Sequence, residues 1–109
     1  MRDHGKGGAL TEVTFYILLS LYLPRHGYAI MQFIEEQTGG RLVLGAGTLY
    51  GALAALEKKG WIAVCSSAGR KKEYGITDLG REVAKQELKR LRELERTAAD
   101  IMSPDKKRL

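Results

Sequence analysis

From Leu79 to Ile101 apolar residues recur every three or four positions inside an otherwise charged run, and this restricts the fold more than any other feature. Leu79, Val83, Ala84, Leu88, Leu91, Leu94, Ala98 and Ile101 mark the seam, with the one adjacent pair at Val83-Ala84. Arg81, Glu82, Lys85, Glu87, Lys89, Arg90, Arg92, Glu93, Glu95 and Arg96 surround it. The spacing predicts a long amphipathic helix. Thr77 is a natural N-cap with Asp78 in the first turn, and Ser103-Pro104 is a stop. In a chain of 109 residues a helix over 77–102 leaves residues 9–76 for the core. A seam of that length calls for a partner, best supplied by the same helix, or the first helix, of a second copy. Folding back onto its own domain is the alternative, and is less favoured because two earlier helices already supply a core. A homodimer is expected, with Leu88, Leu91, Leu94, Ala98 and Ile101 as the dimerisation residues.

The stretch Gly45 to Gly60 organises the remainder. Leu49, Leu53 and Leu56 fall on one helical face, Ala52, Ala54 and Ala55 favour helix, and Gly60 ends it after Lys58-Lys59. The front end is bare. Gly45 and Gly47 remove side chains from the first turn and leave the Thr48 and Tyr50 hydroxyls beside exposed N–H groups. Such a start suits a phosphate or a groove edge. An ordinary core helix with a glycine-rich entry turn is the alternative, and the flanking segments decide between them.

Upstream, a helix is expected from about Leu10 to Leu23, with Thr11 as cap and Glu12 in the first turn. Leu10, Val13, Ile17 and Leu21 form its stripe; Phe15, Leu18, Leu19 and Tyr22 widen it, which places the helix centrally. Pro24-Arg25-His26-Gly27 reads as a break. A second helix follows from about Tyr28 to Thr38, with Ile30, Phe33 and Ile34 inward, and Gly39-Gly40 ends it. Arg41 to Leu44 is a short extended link. Two helices joined this way, the second glycine-entered, follow helix-turn-helix logic. After Gly60 the period changes. Trp61 to Cys65 reads as a strand, Ser66 to Arg70 as a turn and Lys71 to Ile76 as a second strand. Arg70, Lys71 and Lys72 then lie at or near the tip of a hairpin beside a helix-turn-helix, which is a wing whose cations reach phosphates. Lysines also collect on exposed edge strands to prevent pairing; the preceding helix pair favours the wing. The fold class is therefore mainly α with a small β-hairpin.

The net charge of +5, from 18 Lys and Arg against 13 Asp and Glu, suits a polyanion partner. Cys65 is the single cysteine, so neither an internal disulfide nor a thiolate zinc cluster can form. The apolar run Tyr16 to Leu23 is too short to span a bilayer. Residues 1–8 are polar and glycine-rich and 103–109 charged; both are expected to be flexible tails, and the simplest compartment is the cytoplasm. There is no Ser/His/Asp or Cys/His set at useful spacing, no phosphate-binding lysine loop and no carboxylate cluster for a metal. Gly45-Ala46-Gly47 lacks the preceding strand and third glycine of a dinucleotide site. No enzyme, cofactor or metal is expected.

These motifs resemble the PadR-type transcriptional regulators. The resemblance is carried by His26-Gly27-Tyr28, by Gly47-Thr48-Leu49-Tyr50 with Leu53 and Leu56-Glu57, by Lys59-Gly60-Trp61-Ile62, by Gly69-Arg70-Lys71-Lys72-Glu73-Tyr74 and by Thr77-Asp78-Leu79-Gly80. It covers about residues 10 to 100. Many members have proline after the tyrosine of the third helix; Gly51 here is another common variant. The resemblance implies a winged helix-turn-helix followed by one C-terminal dimerisation helix, as in the short subgroup. It also implies a cytoplasmic dimer on a palindromic double-stranded DNA operator, usually a repressor relieved by a small hydrophobic effector. Relatives that sandwich flat aromatic drugs do so with tryptophans on the C-terminal helix, whereas Trp61, the only tryptophan here, begins the first wing strand.

Thr48 and Tyr50 are the first candidates for DNA contact, with Gly47 and Gly51 allowing close backbone approach. Tyr28 and His26 sit where a helix-turn-helix touches the phosphate backbone, although His26 also suits a plain turn residue. Arg70, Lys71 and Lys72 are phosphate ligands; Arg70 alternatively probes the minor groove. No Arg, Asn or Gln lies in the first half of the third helix, so bidentate base reading is missing and DNA shape carries more of the selectivity. Cys65 reads as a small buried or edge residue. The reading from another class is a small-molecule-sequestering or protein-interaction dimer that does not bind DNA.

Overall fold

In the computed structural model, residues 8–67, 69 and 71–104 are described. Arg70, and the tails expected at 1–8 and 103–109 apart from Gly8, Ser103 and Pro104, lie outside them. Thr11 caps helix α1 (Glu12–Ser20), its hydroxyl accepting from the Thr14 N–H at 3.1 Å. α1 stops short of the expected Leu23 because the carbonyls at its end are used elsewhere. Ser20 is fully buried and donates its hydroxyl to the Ile17 carbonyl at 2.7 Å. Its own carbonyl accepts from Arg25 Nε at 2.7 Å, and the Leu21 carbonyl accepts from the Ile76 N–H at 3.0 Å.

That last bond belongs to a feature the local pattern hides. Pro24-Arg25-His26-Gly27 is more than a break: Arg25–His26 forms strand β1 and joins β2 (Ile62–Ser66) and β3 (Glu73–Ile76) in an antiparallel sheet of order β1-β3-β2. Arg25 lies opposite Tyr74 and His26 opposite Glu73. A two-residue strand has no alternation to read, and only its non-local partner defines it. β3 begins at Glu73, so Lys71 and Lys72 lie in the loop before it instead of in the strand. On the other edge the register passes from Val64 opposite Tyr74 to Ser66 opposite Glu73, leaving exposed Cys65 as a bulge.

His26 is also the residue before α2 (Gly27–Gln37), which closes at Thr38 and turns through Gly39 and Gly40 at φ +61° and +86°. The Thr38 hydroxyl donates to the Ile34 carbonyl at 2.8 Å and accepts from the Leu42 N–H at 3.1 Å. An exposed Glu12–Arg41 ion pair ties this turn to α1. The hydrogen bond from Arg41 holds the Glu12 carboxyl below its ordinary range. α3 (Ala46–Lys58) then buries Leu49, Leu53 and Leu56, the face its spacing predicts. Gly60, at φ +79°, turns the chain into β2.

Thr77 caps α4 (Asp78–Met102), accepting from the Gly80 N–H at 3.0 Å and donating to the Gly60 carbonyl at 2.6 Å. The core lies among α1, α2, α3 and the sheet, around Ile17, Leu18, Leu21, Ile30, Ile34, Leu53 and Ile62. Ala84 extends it onto the base of α4. Leu79, assigned to the seam, is 52% exposed. One position on α4 differs from the expected pattern: Glu87, assigned to the charged surround, is 5% exposed. Its carboxylate accepts from the Leu10 N–H at 3.3 Å and from Arg90 at 2.9 and 2.6 Å. A buried charge survives only when so partnered. Beyond Leu91 every α4 side chain except half-buried Ala98 is exposed, and the molecule measures 63 × 30 × 24 Å. No helix among the described residues is long and apolar enough to cross a membrane.

Candidate nucleic-acid interface

The start of α2, the start of α3 and the loop before β3 converge on one cleft. Its volume is about 410 Å³, and it is lined by His26, Gly27, Tyr28, Ala29, Tyr50, Lys71, Lys72 and Tyr74. β1 produces this convergence. Its pairing with β3 sets Tyr74 beside the chain that enters α2. A further bond links His26 Nδ1 and the Lys72 carbonyl at 3.3 Å. Of the residues expected to meet DNA, Tyr28, Tyr50, Lys71 and Lys72 line the cleft together. Tyr28 is 66% and Tyr50 49% exposed. Gly47 and Thr48 are exposed on α3 but do not line the cleft. Arg70 is outside the described residues.

Glycines separate what packing demands from what it leaves open. A Cβ at Gly27 would collide with the Tyr50 hydroxyl and ring, so the tyrosine lies across the first turn of α2. A Cβ at Gly80 would run into the Trp61 carbonyl. At Gly45, Gly47 and Gly51 a Cβ would meet nothing within 4 Å, and none of them has positive φ. Nothing inside the subunit requires glycine there. On a helical projection Gly47, Gly51, Ala54 and Lys58 follow the line opposite the buried leucines, so α3 shows solvent a nearly bare backbone.

Residue reasoning missed Tyr74 as a member of this surface. The alternation of Tyr74 and Ile76 marks it as inward-facing, and it is 6% exposed, yet it lines the cleft. Burial is the main cause that raises its phenol above the ordinary value, with Glu57 and Tyr50 adding to it. Lys59 stacks over the Trp61 ring at 4.8 Å, which occupies this cation at the end of α3.

At the other end of the molecule the dimerisation candidates remain open. Leu88, Leu94 and Ile101 are 43%, 54% and 62% exposed, and Leu91 and Ala98 are half-buried. Between α1 and α4 runs a second groove of about 440 Å³, lined by Leu10, Phe15, Tyr16, Leu19 and Leu91, with Glu12, Glu87 and Arg90 at its edges.

Comparison with known proteins agrees with this geometry. Residues 17–86 match the transcriptional regulator PadR-like family. An uncharacterized 37.1 kDa protein in transposon TN4556 from Streptomyces fradiae is 39% identical over 82 residues; that span is 75% of this chain and 23% of the relative. The crystal structure of a PadR family transcriptional regulator from Eggerthella lenta superposes with a TM-score of 0.73 at 23% identity, covering 84% of this chain and 82% of that one. A transcriptional regulator from Clostridium thermocellum gives 0.68 at 26% identity, covering 84% and 93%. The chain belongs to the PadR-like family of transcriptional regulators, whose winged-helix fold it completes with a long last helix.

Proposed function

We propose that this regulator works as a dimer that represses transcription from a palindromic operator and lets go when a small hydrophobic effector binds. On this reading residues 9–76 are the DNA-binding unit and 77–102 the dimerisation helix. Gly47, Thr48 and Tyr50 approach the groove, Tyr28, Lys71 and Lys72 hold phosphates, and Arg70 does so from the wing. The observation that carries it is the shared cleft of Tyr28, Tyr50, Lys71 and Lys72. Two hydroxyl-bearing helix starts and two cations on one surface form a phosphate-facing set. Dimerisation through Leu88, Leu91, Leu94, Ala98 and Ile101 is supported by the exposure of Leu88, Leu94 and Ile101 on a helix that leaves its own core. The effector is supported by the α1–α4 groove, which adjoins the same helix.

The test is binding to a duplex carrying the DNA upstream of the protein's own gene, measured over a salt series. Replacing Arg70, Lys71 and Lys72 with alanine should weaken binding to all sequences and reduce the salt slope by about two to three for each subunit of the dimer. An unchanged slope would remove the wing from the interface. Leu94→Lys with Ile101→Lys should sediment as a monomer with poor operator affinity. A dimer of that variant would refute the assignment of the helix.

A further inference from the structure

We infer that the cleft at the start of α2 is a built seat for one phosphate group, and that the Tyr74 hydroxyl is the donor at its floor. The inference deepens the DNA-binding reading above and rests on it for the source of the phosphate. Tyr74 is 6% exposed, and among the described residues its hydroxyl makes no hydrogen bond. The ring is packed in the core while the side chain lines the cleft, which leaves the hydroxyl free to donate to a group seated there. Around it the other parts of an oxyanion site are in place. The cap residue His26 makes no side-chain hydrogen bond to α2, so the first N–H groups, at Gly27, Tyr28 and Ala29, keep their capacity to donate. All three residues line the same cleft. The positive end of the helix dipole therefore faces into it. The Tyr50 hydroxyl lies across Gly27, where only glycine leaves room for it. Lys71 and Lys72 contribute two positive charges, and no carboxylate appears among the lining residues. Glu57 lies outside the lining but close enough to help keep the Tyr74 phenol protonated, which is the donor state.

The donor set is two phenols, a helix N-terminus and two ammonium groups. It matches a tetrahedral oxyanion that carries several acceptor oxygens, and offers few acceptors to a cation or a sugar. A backbone phosphate of a bound duplex and a free inorganic phosphate share that chemistry. The uncapped helix start and exposed lysines favour the duplex.

Tyr74→Phe deletes the hydroxyl and keeps the ring. A purely structural hydroxyl would lower the thermal midpoint when removed; here the midpoint should stay. Affinity for the upstream duplex should fall about tenfold, the worth of one hydrogen bond to a charged acceptor. The salt slope should not change, because no charge is removed, which separates this residue from Lys71 and Lys72. A series of duplexes with one methylphosphonate per half-site should contain one position at which the substitution weakens the wild type more than it weakens Tyr74→Phe, because the variant has already lost one of the contacts to that phosphate. Calorimetry with inorganic phosphate supplies the other arm. Sub-millimolar binding lost in Tyr74→Phe would assign the seat to free phosphate. Wild-type binding of both the duplex and inorganic phosphate by Tyr74→Phe would overturn the seat. A wild type that binds phosphate through Tyr74 but shows no salt-sensitive binding to any duplex would leave the seat and remove the DNA reading.

Discussion

Gly80 and Gly51 are both helical glycines, and they have opposite reasons to be there. Gly80 sits in the first turn of α4 against Trp61 and Ile76, and a single added carbon would enter the Trp61 backbone carbonyl. Gly51 sits on α3 with open space in front of it. The first glycine is explained by what the chain has already packed against it. The second has no such explanation, and it shares its face with Gly47 and lies near exposed Thr48. The contrast teaches that one residue type records two different surfaces: an internal contact at the base of α4 and a face left open on α3. Gly27 stands between the two cases, since its obstacle is the end of a movable side chain, Tyr50.

Gly80→Ala should produce the largest effect, a loss of about 3 kcal/mol in urea unfolding, because backbone must shift to admit the methyl group. A variant of wild-type stability would mean that the contact of Gly80 with Trp61 is not tight, and the contrast would fail at that end. Gly27→Ala should cost little stability, because Tyr50 can swing away, but should lower operator affinity about tenfold by moving a hydroxyl off the interface. Equal affinity in a gel shift would separate Tyr50 from DNA. Gly51→Ala should raise stability by about 0.5–1 kcal/mol, the helix-propensity gain at an exposed site. It should also weaken binding several-fold if a duplex approaches that face. A more stable protein with undiminished affinity would show that the bare face of α3 serves no partner.

The smallest effect concerns the link between α1 and the turn before α3. The Glu12 carboxyl is depressed in the folded state by Arg41, so the pair supports folding at pH above the ordinary carboxylate range. That support disappears as pH falls through the lowered folded value. Arg41→Ala should return the carboxyl to its ordinary titration, followed by the Glu12 carboxyl carbon in NMR. With both partners largely exposed, the acid limb of the stability curve should change only slightly.

Much of the architecture could be read from local chemistry. Thr11 and Thr77 announce their helices because a hydroxyl before an apolar-periodic run has a definite job at a helix start. Leu49, Leu53 and Leu56 announce the buried side of α3 through spacing alone. What stayed hidden depends on partners far along the chain. Arg25 and His26 become a strand only because Tyr74 and Glu73 come to lie opposite them. The end of α1 moves because Ile76 takes the Leu21 carbonyl. Glu87 looks like one more outward charge until Arg90 and the Leu10 N–H close over it. In the candidate interface, the hydroxyls and lysines could be named from residue type and order. The part of Tyr74 could not, since alternation shows which way a ring faces and not whether its oxygen finds a partner.

The short strand β1 has one more implication. Its two residues are hydrogen-bonded into the sheet on one side and lead straight into α2 on the other, so the wing and the helix start are welded through a single peptide segment. On the proposed reading, with the wing and the start of α2 as two grips on one duplex, such a joint would act as a fixed-gap caliper, and choosing among sites would rest on how readily each duplex takes up the width it offers.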